Sequence, residues 1–158
     1  MSSSRHTKMK IRKAKRADFE GYLKLKMSEK RDLSRYLGIN INYAPKRILK
    51  REFKDALKSI KKFLLIAEED KEIIGYLEGV QIIDNYQKTG YIYDIFILKE
   101  YRKKRFAIDL IGKFTNLLKK RKIHKIKLGV NPKNKRALNL YRKLGFKIAH
   151  YEMEKKIK

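Results

Sequence analysis

The segment YIYDIFILKEYRKKRFA, residues 91–107, joins an apolar strand to a charged turn and an amphipathic helix without a break. The strand portion is apolar on both faces apart from Asp94, which predicts a central strand covered on both sides. The turn brings backbone N–H groups at a helix N-terminus close to Arg102, Lys103, Lys104 and Arg105. Such a terminus is suited to hold a phosphorylated ligand. A basic strand–helix turn that binds nothing explains the segment equally well.

Hydrophobic periodicity on either side predicts alternating strands and helices. Before the segment we predict an edge strand (9–14), a helix from Ala17 and Asp18, a partly irregular connection (28–45), a helix (46–61) and a hairpin (63–69 with 72–83). A polar turn is expected over residues 84–90. After the segment we predict a helix from Phe106, a strand (125–130), a helix (134–144) and a final strand (146–157). The order β-α-α-β-β-β-α-β-α-β indicates an α/β protein, an α+β mixed sheet flanked by helices, with a parallel unit over residues 91–130.

Size and charge limit the possible functions. The chain has 158 residues, and we expect a flexible tail over residues 1–8 and a single domain over residues 9–158. Lys and Arg number 43 against 17 Asp and Glu, a net charge of +26. This field attracts coenzyme phosphates, nucleic acid or acidic protein and repels polycations. A thermophile-like composition, rich in Lys and Ile with few Gly and two Pro, explains the charge equally well.

Several classes of site are excluded or disfavoured by composition. The chain has no Cys, so disulfides, thiolate nucleophiles and zinc–thiolate centres are excluded. His6, His124 and His150 are too scattered to predict a metal cluster. No apolar run reaches the roughly 18 residues of a membrane span, so we expect a soluble cytoplasmic protein, monomeric or homodimeric.

Two motifs carry a resemblance. Asn134, Ala137, Tyr141, Gly145 and Phe146 match the pattern N-x-x-A-x-x-x-Y-x-x-x-G-F in full. Residues 102–107 follow the pattern R/Q-x-x-G-x-G/A, with Ala107 at its second small position. Over residues 9–156 the chain resembles the GNAT superfamily of acetyl-CoA-dependent N-acetyltransferases. It departs from that family at Arg105, where a glycine usually lets the backbone wrap closely around a pyrophosphate.

The resemblance implies acetyl-CoA as cosubstrate. Backbone groups of residues 95–97 would hold the pantetheine arm as an added strand, and N–H groups of residues 103–108 would face the pyrophosphate. Asn134 and Tyr141 would lie beside the pantetheine and the thioester sulfur. The implied coenzyme-binding residues are Ile95, Phe96, Ile97, Arg102, Lys103, Lys104, Arg105, Phe106, Ala107, Ile108, Asn134, Ala137 and Tyr141.

The resemblance also implies direct acetyl transfer to a primary amine: a protein N-terminus, a lysine or a small amine. The lack of Cys and of a G-x-S-x-G motif agrees with a reaction that forms no acyl-enzyme. Tyr141 occupies the family's tyrosine slot and is the candidate general acid, although a core role beside Leu138 and Leu144 is the alternative. Tyr91 and Tyr93 occupy slots in which relatives place the base. Asp94 points to the opposite face unless a bulge re-aims it, and Glu78 or a water chain is a further possibility.

A second hypothesis is a GNAT scaffold with impaired catalysis that binds nucleic acid or the ribosome. Basic residues are dense over residues 99–105 and 119–127, and the first glycine of the phosphate motif is missing. These runs carry few aromatic residues for base stacking, which weakens a single-strand or sequence-specific version.

Overall fold

The structure is a computed structural model that describes residues 9–157. The tail predicted for residues 1–8 lies outside the described residues. The strands and helices in chain order are β1 (Met9–Lys13), α1 (Phe19–Leu37), α2 (Lys46–Lys58), β2 (Lys62–Glu69), β3 (Glu72–Asp84), β4 (Gln87–Ile97), α3 (Phe106–Lys119), β5 (Ile126–Leu128) and α4 (Lys135–Lys143). Short 3-10 turns precede α1 (Arg16–Asp18) and follow β4 (Lys99–Tyr101).

The five strands form one mixed sheet in the order β1-β2-β3-β4-β5. Neighbours are antiparallel except β4 and β5, which are parallel and thereby confirm the predicted parallel unit. Two-residue turns at Asp70-Lys71 and Asn85-Tyr86, all with positive φ, connect β2 to β3 and β3 to β4. Such turns match the twist of paired strands. The second turn is tight enough that β4 begins at Gln87, so the polar turn predicted for residues 84–90 is wrong.

Helices cover both faces of the sheet, as predicted. On one face, Phe19 and Tyr22 of α1 and Phe53 of α2 form an aromatic cluster with Tyr76 and Phe96 of the sheet. On the other face, a second core joins α3 and α4 to the strands, and its α3 and α4 members are Phe106, Leu110, Ile111, Phe114, Leu118 and Tyr141. β4 is buried between the two cores, which confirms the prediction of a central strand.

Helix α1 is longer than the sequence pattern indicates. The irregular connection predicted from residue 28 is helical as far as Leu37, where Gly38 at φ +66° ends the helix. The apolar periodicity fails here because the inward face carries Lys26 and Glu29, both buried. Charged side chains turned toward the interior conceal a helix from a search for hydrophobic repeats.

The final strand predicted for residues 146–157 is wrong, and residues 9–157 contribute five strands to the sheet rather than six. This segment carries no regular structure, and its large apolar side chains other than Phe146 are exposed; Met153 is 93% exposed. β5 has only three residues, all paired with β4, and no described strand pairs with the segment. Alternating apolar residues form a strand only where backbone partners and a buried face are available.

Candidate active site

Strands β4 and β5 separate where the apolar segment approaches its turn. Their parallel pairing ends at Ile92 and Leu128, while β4 continues to Ile97. Residues 93–97 therefore present one main-chain edge that no described strand occupies, and an extended ligand can pair with such an edge. A cavity of about 980 Å³ opens there. Ile95, Phe96 and Ile97 all line it.

A β-bulge at Tyr93 changes which side chains point into this region. Asp94 pairs with Glu78 and Ile92 with Gly79, so Tyr93 has no partner on β3. Tyr91 pairs with Val80, which lies two residues from Glu78 and therefore on the same face of β3. Their partners Tyr91 and Asp94 thus point to the same face of the sheet, which they would not do without the bulge. The alternative that a bulge re-aims Asp94 is thus what the structure shows.

The two tyrosines predicted from the sequence as candidate bases, Tyr91 and Tyr93, differ in their position relative to the cavity. Tyr93 lines the cavity and is 67% exposed. Tyr91 is half-buried beside it, with ring centroids 5.1 Å apart, and is not among the residues that line the cavity. Only Tyr93 of the pair is positioned to contact a ligand there.

The turn before α3 contains two residues in the left-handed region, directly ahead of a helix N-terminus. Lys103 has φ +66° and Arg105 has φ +68°, both left-handed, and α3 begins at Phe106. Turns of this kind present successive backbone N–H groups that suit an anion. A left-handed side chain costs about 1–2 kcal/mol relative to glycine. Arg105 nevertheless adopts the left-handed conformation that a glycine at this position favours.

The basic side chains of this turn have different partners. Arg102 donates from Nε to the Ile97 carbonyl oxygen at 2.9 Å and from Nη2 to Asp32. Lys104 lies 3.8 Å from Glu69 and does not line the cavity. Lys103 and Arg105 are exposed and do line it. Arg102 also lines the cavity. Its guanidinium links β4 to α1, and a contact between Arg102 and a coenzyme phosphate stays a prediction.

Helix α4 supplies the opposite wall of the cavity. Asn134 caps the helix, its Oδ1 accepting a hydrogen bond from the Ala137 N–H at 3.1 Å, and both residues line the cavity. Tyr141 is 9% exposed and packs against Phe146. Burial, and next the charges of Asp94 and Glu29, raise the pKa of Tyr141 to about 12, so its phenol is protonated at neutral pH.

A buried charged cluster adjoins the cavity, and sequence reasoning missed most of it. Lys26 Nζ lies 2.6 Å from Asp94 Oδ2 and 3.1 Å from Glu78 Oε2, and 4.7 Å from the centre of the Tyr76 ring. Glu29, one turn along α1, is only 2% exposed and still lines the cavity. The one available signal was the spacing of Lys26, Glu29, Leu33 and Leu37, which places them on one face of a helix.

Ionisation within this cluster is set by burial and by neighbouring charge. Burial first, and then the carboxylate of Asp94, raise the pKa of Glu29 to about 8. Burial also acts to raise the pKa of Asp94, but the charge of Lys26 and the hydrogen bonds to Asp94 outweigh it, so this pKa lies below its ordinary value. The carboxyl groups of Glu29 and Asp94 therefore differ in acid strength although they are neighbours.

Several basic side chains of residues 119–127 contact other groups of the same chain. Lys125 and Lys127 each lie 3.0 Å from Asp84 Oδ2. Arg121 lies 4.5 Å from the centre of the Phe63 ring and donates to the Ile60 carbonyl oxygen. These three side chains have structural partners, which weakens the case that residues 119–127 form a surface for nucleic acid.

Residues 9–157 contain neither a metal-binding cluster nor a helix that could span a membrane. This part of the chain has no group of His, Asp and Glu side chains arranged to hold a metal ion. None of its helices combines the length and apolar character that crossing a membrane requires.

Comparison with known proteins decides the family. The sequence profile of the Acetyltransferase (GNAT) family matches residues 29–146. The chain belongs to the GNAT family. Its sequence is 26% identical to an N-alpha-acetyltransferase of Sulfurisphaera tokodaii, over 76% of this chain and 80% of that protein. This GNAT protein is accordingly an N-acetyltransferase with acetyl-CoA as its cosubstrate.

Solved structures share the GNAT fold of this chain. A predicted acetyltransferase from Clostridium acetobutylicum, solved with acetyl-CoA, is 27% identical, with a TM-score of 0.75 over 94% of this chain and 96% of that one. The aminoglycoside N-acetyltransferase AAC(6')-Iy in complex with CoA has a TM-score of 0.81 over 99% of each chain. At 16% identity, the second likeness concerns the fold alone.

Proposed function

We propose that this GNAT enzyme transfers acetyl from acetyl-CoA directly to the α-amino group of a protein or peptide within one ternary complex. One observation carries the proposal. The free edge of residues 95–97, the N–H group of the turn before α3 and the Tyr141 side chain all border a single cavity of about 980 Å³. That volume lies in the range of small-molecule and cofactor sites.

Successive features along one wall of the cavity match the successive chemical groups of acetyl-CoA. The left-handed turn at Lys103 and Arg105 offers backbone N–H groups to the diphosphate, with the two exposed cationic side chains beside them. The unpaired edge of β4 suits the amide groups of the pantetheine arm, which can pair as an added strand. Asn134 and Ala137 of α4 would flank that arm.

Tyr141 is the proposed general acid. The departing thiolate needs a proton, and the raised pKa of Tyr141 keeps its phenol protonated at working pH. Backbone N–H groups of residues 95–97 would stabilise the negative charge that develops on the carbonyl oxygen. With no Cys in the chain, a thiol acyl-enzyme is excluded, which supports direct attack by the amine.

Four considerations favour an α-amino acceptor over a lysine side chain or a small polycation. The relative from Sulfurisphaera tokodaii bears the name N-alpha-acetyltransferase. The net charge of +26 repels aminoglycosides and polyamines and attracts acidic peptides. An α-amine has a pKa of about 8, against roughly 10.4 for lysine, so a larger fraction is neutral near pH 7. Leu33, Leu37 and Tyr93 line the cavity and supply apolar contacts for a peptide.

Titration calorimetry with acetyl-CoA, followed by measurement of thiol release with matched acceptors, tests the proposal. The acceptors are an acidic, lysine-free peptide with a free N-terminus, the same peptide N-acetylated and carrying one lysine, and the aminoglycoside neamine. We expect coenzyme binding and fastest release with the free N-terminus. Absence of coenzyme binding would overturn the whole proposal, while preference for lysine or neamine would overturn the acceptor.

A further inference from the structure

Two carboxyl groups border the acetyl-transfer cavity between α1 and β4. Glu29 and Asp94 both line it. The Asp94 side chain is 23% exposed, whereas Glu29 is 2% exposed. Asp94 is therefore the carboxylate that a ligand in the cavity meets first, and Glu29 is shielded.

Hydrogen bonding indicates that this pair holds a proton. The Tyr76 hydroxyl lies 2.6 Å from Glu29 Oε2 and 2.8 Å from Asp94 Oδ2. A phenol has one proton and donates one full hydrogen bond, so its second short contact with a carboxyl oxygen requires a proton on that carboxyl. The Tyr43 hydroxyl also donates to Glu29. Both carboxyl groups are thus satisfied when one proton is present between them.

The surrounding charges place that proton on Glu29. The titratable groups that face the pair are Tyr22 and Lys26 of α1, Tyr43 of the following loop, Tyr76 and Glu78 of β3, and Tyr141 of α4. Lys26 forms its shorter ion pair with Asp94, at 2.6 Å, and favours the ionised form there. Glu29 forms no ion pair with a Lys or Arg of residues 9–157. Burial and the charge of Asp94 raise its pKa to about 8.

We propose that the Glu29–Asp94 pair receives the proton lost by the acceptor's ammonium group, with Asp94 as the catalytic residue that meets the amine and Glu29 as the positioning residue on which the proton comes to rest. This inference rests on the proposed amine acetylation. Neither tyrosine slot on β4 offers a comparable base, because Tyr91 does not line the cavity and Tyr93 is largely exposed.

The proton balance is complete within the site. The ionised pair takes one proton from R–NH₃⁺, and the resulting amine attacks the thioester carbon, forming the C–N bond. As the C–S bond breaks, Tyr141 protonates the thiolate. The second proton lost by nitrogen replaces the one that Tyr141 has given. The products are CoA–SH, the amide and a protonated Glu29, which releases its proton to solvent before the next cycle.

Carbon-13 NMR of carboxyl-labelled protein reports the protonation state of Glu29 directly, with no acceptor amine present. The Glu29 signal is assigned by its loss in Glu29→Gln. We expect an apparent midpoint near pH 8 in the wild type and a lower midpoint in Asp94→Asn, because the neighbouring negative charge is removed. An ordinary glutamate midpoint in the wild type would overturn the inference whatever the variants do.

Turnover supplies the second readout. Glu29→Gln keeps the shape and hydrogen-bonding capacity of the side chain but cannot accept a proton. We expect kcat to fall at least ~10-fold and its alkaline rise to disappear, with acetyl-CoA affinity unchanged. Glu20→Gln makes the same change on an exposed part of α1 and should leave both quantities unchanged. Retention of turnover and pH profile by Glu29→Gln would overturn the inference.

Failure of the inference can be distinguished from failure of the proposed function. If wild-type protein gives no heat with acetyl-CoA, the proposed function fails, while the NMR midpoint still reports on the carboxyl pair. If acetyl-CoA binds and an amine is acetylated but Glu29 titrates normally, only the inference fails. Should Glu29→Gln not fold, the Glu29 carboxyl signal of the wild type is assigned instead through its side-chain correlations to the backbone, and its titration then decides.

Discussion

Arg102 reaches from the turn after β4 to Asp32 in the middle of α1, with its Nη2 2.5 Å from Asp32 Oδ2. The same guanidinium donates from Nε to the carbonyl oxygen of Ile97, the last residue of β4. Burial acts to raise the pKa of Asp32, but the hydrogen bond and charge of Arg102, together with those of Arg136, outweigh it and lower the pKa. One side chain therefore fixes the end of β4 to the helix on the other side of the cavity.

Arg102→Lys should destabilise the protein by about 1–2 kcal/mol, because an ammonium group cannot reproduce the two directed contacts of the guanidinium. Urea denaturation measures the loss. Arg51→Lys, on the exposed face of α2, is the control and should have little effect. Unchanged stability together with weaker acetyl-CoA binding would show instead that Arg102 contacts phosphate, as the sequence suggested.

Arg105→Gly should leave the turn before α3 intact. Removing the Cβ relieves a left-handed cost of about 1 kcal/mol, and the added freedom of the unfolded chain offsets part of this gain. We expect equal or slightly higher thermal stability and equal or tighter acetyl-CoA binding by calorimetry. Lys104→Gly removes the same charge without relieving a left-handed residue, and it should lower stability. A large loss of affinity in Arg105→Gly alone would mean that its guanidinium binds a phosphate.

The elements around the coenzyme site could be predicted because their signals are local. An apolar strand with a single charge, a turn and an amphipathic stripe occur consecutively from residue 91, and each depends on neighbours a few positions away. The motif from Asn134 to Phe146 likewise lies within one helix and its ends. Local consistency of this kind makes a segment readable from sequence alone.

The missed features depend on distant partners. The inward face of α1 carries Lys26 and Glu29, whose burial is understandable only when Asp94 and Tyr76 are known to lie opposite. The bulge at Tyr93 is defined by its register against β3. Residues 146–157 alternate like a strand, but whether a partner strand is available is a property of the folded sheet.

Tyr141→Phe should lower turnover at least ~10-fold and leave acetyl-CoA affinity nearly unchanged, because it removes a proton donor but keeps the ring that packs on Phe146. Initial rates of thiol release with the acidic peptide, together with calorimetry, measure the two quantities. Tyr151→Phe is the matched control on a side chain that is 83% exposed. Equal turnover in Tyr141→Phe would remove this residue from the chemistry.

Glu29 should make the protein less stable as pH rises. Its pKa is about 4.5 in the unfolded chain and is raised to about 8 in the folded protein. Between these values the folded state binds the additional proton, so the free energy of unfolding falls with rising pH. We expect the wild type to lose on the order of 2–4 kcal/mol between about pH 5 and about pH 9, relative to Glu29→Gln.

Urea denaturation of both proteins at several pH values across that window measures the difference. Glu20→Gln should follow the wild type throughout, since Glu20 is 65% exposed and far less shielded from water. Carboxylates with lowered pKa values, such as Asp32 and Asp94, gain protons on unfolding at acid pH. They therefore make the free energy of unfolding rise with pH, but only in the acid range. Parallel pH dependence of the wild type and Glu29→Gln would show that the pKa of Glu29 is not raised in the folded protein, and the carboxyl pair would then be too weak a base to retain a proton taken from the acceptor's ammonium group.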